Sequence, residues 1–387
     1  MSASPRPRIV FLDFMRVFAC LSVMCIHSGE NYYCGPDCTI ITSTDYAPWV
    51  ALLNGLFRFS VPVFAMTSSY LLLPLKDDAS TFFRRRFSRI CWPFVVWMLI
   101  YALIPQWGGS FADMDYAHTL PLLLVNIPGA AGHLWFIYML LGLYLIMPIL
   151  TPWLRQVSRR GEEAFLCVWL FTTLIPFVRL IPGCAETYGV VPWNQFGLLW
   201  NVSGYIGYIV LAHYIRQYLD WSVGKTLRIA VPLFLLGWAM TSGWFYECCL
   251  YWAERVGANP GEMFDGGRDL YNLAETSFQF CTLNVALQSF AIFMLFKAIR
   301  TASDNDAGAL SVNPQGRWYR LVQDISRKSF GMYLLHIFCL GLVFPWVASW
   351  DMCVPLTVLI GGVLTFVLSY LVTSLLSLLP GSKYYIG

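Results

Sequence analysis

Along the chain, apolar stretches of about 20 residues, the length that crosses roughly 30 Å of hydrocarbon as a helix, alternate with short polar connections. Ten such stretches lie near 9–28, 49–75, 88–105, 133–152, 163–181, 196–215, 229–246, 278–297, 329–349 and 353–379. Membrane β-strands would instead alternate in polarity, and runs such as Ile229 to Met240 do not. The segment 118–127 is apolar but too short to span, which predicts an interfacial or re-entrant piece. The pattern predicts an all-α polytopic membrane protein: one integral domain over 1–387, about ten transmembrane helices around a polar cavity, and no appended soluble domain after the tenth.

Composition agrees, since 58% of the 387 residues are hydrophobic and only 12% charged, which excludes a water-soluble globule. A net charge of +3 is too small to imply a nucleic-acid partner; the lipid bilayer is the partner the composition demands. Lys and Arg set the orientation, because cytoplasmic loops collect them. With the N-terminus inside, 20 of the 25 fall on the cytoplasmic side, Arg255 and Arg268 fall outside, and Arg16, Arg58 and Arg179 lie within spans. Both termini are therefore expected in the cytoplasm. A cleaved signal peptide at 9–28 fits poorly, since no small-residue cleavage site follows and Arg16 interrupts it.

Of the twelve cysteines, Cys20, Cys25, Cys91, Cys167, Cys281 and Cys339 fall within spans and read as small apolar filler. Cys34 and Cys38 flank a Gly-Pro-Asp turn on the outer side, where an oxidising exterior allows but does not require a disulfide. No His stands at ligand spacing from the outer cysteines, so no metal site is expected.

Ionisable groups in hydrocarbon are costly and mark substrate paths or reaction centres. Asp13 and Arg16 are three residues apart on one helical face, in reach of a local ion pair. His27 follows Arg16 by eleven residues, which returns it to the same face about 16 Å further along the axis. Snorkelling of Arg16 to headgroups and an interfacial His27 would account for the same pair. Glu30 stands one turn beyond His27, placed either to orient the imidazole or to face solvent. The second span combines Arg58, the helix-kinking Pro62 and the small hydroxyl residues Ser68 and Ser69, a polar-lined bend. His133 opens the fourth span. His336, seven residues into the ninth, is expected at the depth of Arg16. His118 and His213 read as interfacial.

These residues resemble the acyltransferase 3 family of integral-membrane O-acyltransferases. The likeness rests on Asp13-x-x-Arg16 followed by ten residues and His27, on the Arg58 to Tyr70 stretch, and on the basic run Arg84 to Arg89 before Pro93. It continues through His133-Leu134-Trp135-Phe136, the Tyr205 to Tyr214 stretch and Ser329 to His336, nearly the whole chain. Ser69 and Ala212-His213 depart from it where the family carries Gly. The resemblance implies transfer of an acyl group, acetyl first among them, from cytosolic acyl-CoA to a hydroxyl of a cell-surface or lipid-linked glycan. It implies His27 as general base, Arg16 positioning the donor or stabilising negative charge, and Asp13 and Glu30 in support. Substrate contacts are implied at Arg58, Ser68, His133, Trp135, Tyr333 and His336, and a coenzyme A phosphate clamp at Arg84, Arg85, Arg86 and Arg89. Positive-inside bias alone would also produce that basic run.

Outer aromatics such as Tyr32, Tyr33 and Trp193 suit either a sugar platform or an interfacial belt. Turn formers in the outer segment 247–277 predict an ordered cap. A transporter or exporter of a glycan, lipid or small organic acid is the alternative, in which buried Arg and His bind anions and relay protons. It would be expected to show a second copy of the Arg58 to Tyr70 pattern, and the chain has none. The resemblance and topology together imply the bacterial cytoplasmic membrane.

Overall fold

The computed structural model describes residues 9–33, 44–106, 109–180, 199–256, 276–301 and 310–387. Its helices are α1 (Val10–Glu30), α2 (Ala47–Phe57), α3 (Ser60–Leu72), α4 (Ala79–Leu103), α5 (Tyr116–Leu122) and α6 (Trp135–Gln156). They continue as α7 (Arg159–Thr172), α8 (Ile206–Tyr218), α9 (Val223–Val256), α10 (Leu283–Lys297), α11 (Arg317–Ala348) and α12 (Val354–Leu376). Among the described residues the only strands are the short parallel pair Ile299–Thr301 and Leu310–Val312.

Among the described residues, seven stretches are long and apolar enough to cross a membrane: α1, α2 with α3, α4, 131–156, 223–247, α11 and α12. The protein is therefore a multi-pass integral membrane protein. The three other predicted spans coincide with shorter helices of 14, 13 and 15 residues, α7, α8 and α10. At 1.5 Å per residue these reach only about 20–23 Å. The apolar piece at 118–127 contains the end of the seven-residue α5. Cys34 and Cys38 lie outside the described residues, as does 257–275 of the expected cap; its first part, 247–256, continues α9 as helix.

Two helices begin well before the apolar stretch that announces them, and this moves residues. Backbone hydrogen bonding carries on through polar turns that a hydropathy scan leaves out. The carboxylate of Asp78 caps α4, accepting from the Thr81 N–H at 3.0 Å, which holds its pKa below the ordinary value. Arg84 to Arg89 consequently sit on a helix, not in a loop. Likewise α11 starts at Arg317, so His336 lies nineteen residues past its first residue (336 − 317). The expected depth match with Arg16 is thus corrected: His336 reaches the level of His27, with ring centroids 5.1 Å apart.

The bend in the second span lies at Arg58 and Phe59, ahead of Pro62. Pro62 is third in α3, where its missing N–H would have had no partner within that helix. Both bend residues keep right-handed helical dihedrals, and Val63 N–H still reaches Phe59 O at 3.1 Å, so the chain turns without unwinding.

Helix α1 is the central strut, packed by α2, α3, α11 and α12. Small residues let α12 close on it: a Cβ at Gly362 would stand 2.8 Å from Cys25 Cα, and one at Gly361 2.6 Å from Ser28 Oγ. At the opposite end, buried Asp13 accepts hydrogen bonds from Tyr319 Oη (2.9 Å) and Ser326 Oγ (2.7 Å), tying α1 to α11. Several basic side chains finish helix ends. Arg216 donates to Tyr70 O and Leu73 O at the end of α3, and Lys297 donates to Ile215 O and Leu219 O at the end of α8.

Candidate active site

A cavity of about 400 Å³ runs along α1 and is lined by both Arg16 and His27. Because α1 is continuous between them, the cavity extends for about 16 Å along its axis. Its two ends differ in chemistry.

At one end Arg16 is joined by Arg86 and Arg89 of α4 and by Arg327, Ser326 and Ser329 of α11. Arg86 and Arg89 share a helix face by their three-residue spacing. Arg84 and Arg85 do not line the cavity: Arg84 is exposed, and Arg85 pairs with Asp77 at 2.8 Å. Arg327 is a member that sequence reasoning left among the positive-inside residues. Only the neighbouring Ser329 to His336 motif pointed towards it.

At the other end His27 Nδ1 stands 2.6 Å from Glu30 Oε2, one turn further along α1. Paired with a carboxylate, Nδ1 carries the proton, and Nε2 is left as the basic nitrogen. Arg58 lines the same end, donating to Tyr33 Oη at 2.8 Å and to Phe278 O at 3.5 Å, with its guanidinium 4.2 Å above the Phe278 ring. Phe278, at the margin of the eighth span, was absent from the sequence-derived site, and Tyr33, past the first span, entered it only as one of the outer aromatics that suit a sugar platform or an interfacial belt. Their backing of Arg58 depends on contacts distant in the chain.

Two further imidazoles crowd His27. The His133 and His336 rings lie 4.9 Å apart, and His133 is 6.5 Å from His27. His336 is fully buried behind the wall; its Nδ1 donates to Tyr333 O at 2.6 Å. Tyr333 lines the cavity and its hydroxyl donates to the backbone oxygen of His133. Trp135, Phe136, Phe64 and Phe280 complete an aromatic wall, with Trp135 stacked on Phe280 at 5.6 Å, and Ser68 and Thr67 add hydroxyls. The lining is drawn from α1, α3, α4, α6 and α11, elements far apart in the chain, so the pocket is a tertiary construction.

His213, expected at an interface, is instead buried, with Nδ1 2.8 Å from Glu162 of α7. Tertiary pairing of α7 with α8 accounts for it: Glu162 is also fully buried and supplies the polar partner that lets an imidazole leave the interface.

Inside a membrane-embedded helical bundle, the cavity thus joins a basic end to a histidine paired with a carboxylate. The family model described as an acyltransferase domain, acyltransferase 3, matches residues 9–374, and the chain belongs to that family of membrane acyltransferases. Comparison with curated proteins finds no match, and neither does comparison with solved structures.

Proposed function

We propose that the protein transfers an acyl group, acetyl by preference, from cytosolic acyl-CoA to a hydroxyl of a cell-surface or lipid-linked glycan, in a bacterial cytoplasmic membrane that it crosses about ten times with both termini inside. The observation that carries this reading is the cavity itself, with four guanidiniums at one end and the His27–Glu30 pair about 16 Å away at the other. Arg86, Arg89 and Arg327 offer planar, permanently charged donors for phosphate oxygens, and Arg16 continues the positive lining inward. The slender acyl-bearing arm of the donor suits a cavity of this size, while its bulky anionic end stays at the basic mouth.

His27 acts as general base. Glu30 holds the imidazole by Nδ1 and leaves Nε2 to take the proton of the acceptor hydroxyl. The hydroxyl oxygen bonds to the acyl carbon, the carbon–sulfur bond breaks, and the proton on Nε2 passes to the departing sulfur. The aromatic wall excludes water that would otherwise compete as acceptor.

The test is transfer of radiolabelled acetyl from acetyl-CoA in membrane vesicles of known orientation, comparing the native chain with His27→Ala and Arg86→Ala at matched insertion. Label appearing in the membrane acceptor, and lost in His27→Ala, supports the reading. Acetyl-CoA left unconsumed while a glycan or organic acid crosses the membrane in a His27-dependent way replaces it with transport.

A further inference from the structure

The His27 end of the cavity is bounded by rings that the chemistry above uses only to exclude water. Trp135 follows His133, whose ring is 6.5 Å from that of His27, so it stands at this end. The Phe280 ring is stacked on Trp135 at 5.6 Å and 25°, and the Arg58 guanidinium lies 5.7 Å from its centre. Phe280 comes from the turn before α10, and Tyr208 Oη of α8 donates to its backbone oxygen at 2.5 Å, which fixes that turn. Tyr205 and Phe136 stand 6.3 and 6.4 Å from Trp135 on other sides. Rings packed in this way do not retreat without cost. Both Trp135 and Phe280 nevertheless line the cavity, so their inner surfaces meet whatever enters it.

The cavity is also narrow. Spread over about 16 Å, its volume of about 400 Å³ averages roughly 25 Å² in cross-section. Chains in contact at about 4 Å occupy roughly 16–20 Å² each, so one extended chain fits and a second beside it does not. A donor arm lying between the arginines and His27 therefore fills the passage, and an acyl tail cannot fold back along it. A thioester is planar and extended, so the tail continues the line of the arm past the reacting carbon, towards Trp135 and Phe280. We infer that Phe280, backed by Trp135, is the specificity-determining residue for the acyl group: it ends the space beyond His27 and restricts transfer to short acyl chains. This rests on the acyltransferase reading. An acetyl group stops short of the ring; each further methylene has to displace it or distort the thioester.

The test compares radiolabelled acetyl-CoA and hexanoyl-CoA as donors to the membrane acceptor, on the full chain in vesicles. The ratio of the two kcat/KM values is read on one preparation, so the amount of inserted protein cancels. In the native protein hexanoyl is expected to fall about 100-fold or more below acetyl. In Phe280→Ala, which opens the end wall, hexanoyl is expected within about tenfold of acetyl, and Phe280→Leu is expected to lie between the two. The smaller change of Phe280→Leu also serves should Phe280→Ala prevent insertion. A native ratio near one, or a ratio unchanged in the Phe280 variants, overturns the inference, while acetyl transfer by the native chain leaves the acyltransferase reading standing. Failure of the native chain to transfer from either donor overturns both.

Discussion

The imidazole of His336, on α11, lies 5.1 Å from that of His27, on α1, although the two belong to opposite ends of the chain. The contact places the last long motif of the sequence directly behind the first. Helix α11 thus meets α1 towards both of its ends, because Asp13, fourteen residues before His27, accepts from Tyr319 and Ser326 of the same helix.

Removal of His27 is the most direct test of its proposed role as base. His27→Ala is expected to lower kcat by about 10²–10⁴-fold, the usual worth of general acid–base catalysis. Glu30→Gln keeps the size but loses the charge that holds Nδ1–H, and is expected to cost tenfold or more in kcat with a smaller change in KM for acetyl-CoA. Steady-state kinetics of both variants in vesicles checks this.

The basic run divides by helix face. Arg86→Ala and Arg89→Ala are each expected to raise KM for acetyl-CoA about 10–100-fold, as the loss of a hydrogen bond to a charged group does. Arg84→Ala and Arg85→Ala are expected to stay within about twofold, because surface charges of this kind contribute little. Equal effects at all four positions would show that charge density, not the cavity face, governs donor binding.

The tie between α1 and α11 should be visible as stability. Asp13→Ala removes the acceptor of two hydrogen bonds and leaves Tyr319 and Ser326 without it, an expected loss of about 1–3 kcal/mol. Thermal unfolding of the detergent-solubilised protein, alongside the milder Tyr319→Phe, reads the difference.

Close packing of α12 on α1 predicts a steric effect. Gly362→Ala puts a methyl 2.8 Å from Cys25 Cα, where backbone cannot yield cheaply, and is expected to destabilise by about 1–3 kcal/mol. Gly142→Ala, with open space at its Cβ, is the control and is expected to unfold like the native chain.

The buried His213–Glu162 pair carries its own expectation. Glu162→Ala leaves the buried His213 imidazole without its partner and is expected to cost about 1–3 kcal/mol, seen as lost thermal stability or poor insertion.

Much of the molecule is legible from one-dimensional pattern. Hydrophobic length announces the membrane helices, and the eleven-residue interval between Arg16 and His27 places both on one face, because helix periodicity is local and needs no partner. The pairing of Glu30 with His27 is local in the same way, one turn of one helix. Pro62 announces a bend, although the bend falls just before it, where the helix start hides its missing donor.

What escapes the pattern is whatever depends on how helices extend and meet. Hydropathy registers only the lipid-matched part of α4 and α11, so it misplaced His336 in depth and read Arg84 to Arg89 as one cluster when a helix divides them between cavity and surface. His213 looked interfacial until Glu162, from another helix, was found against it. Arg327 and Tyr33 likewise become site residues only through contacts across the bundle. The sequence by itself determined a membrane-embedded helical chain with ionisable groups along one face of its first helix, since burial in lipid and helical periodicity act within each segment. Tertiary structure alone decided which arginines, aromatics and imidazoles join them, because packing between helices is set by side-chain fit at contacts far apart in the chain.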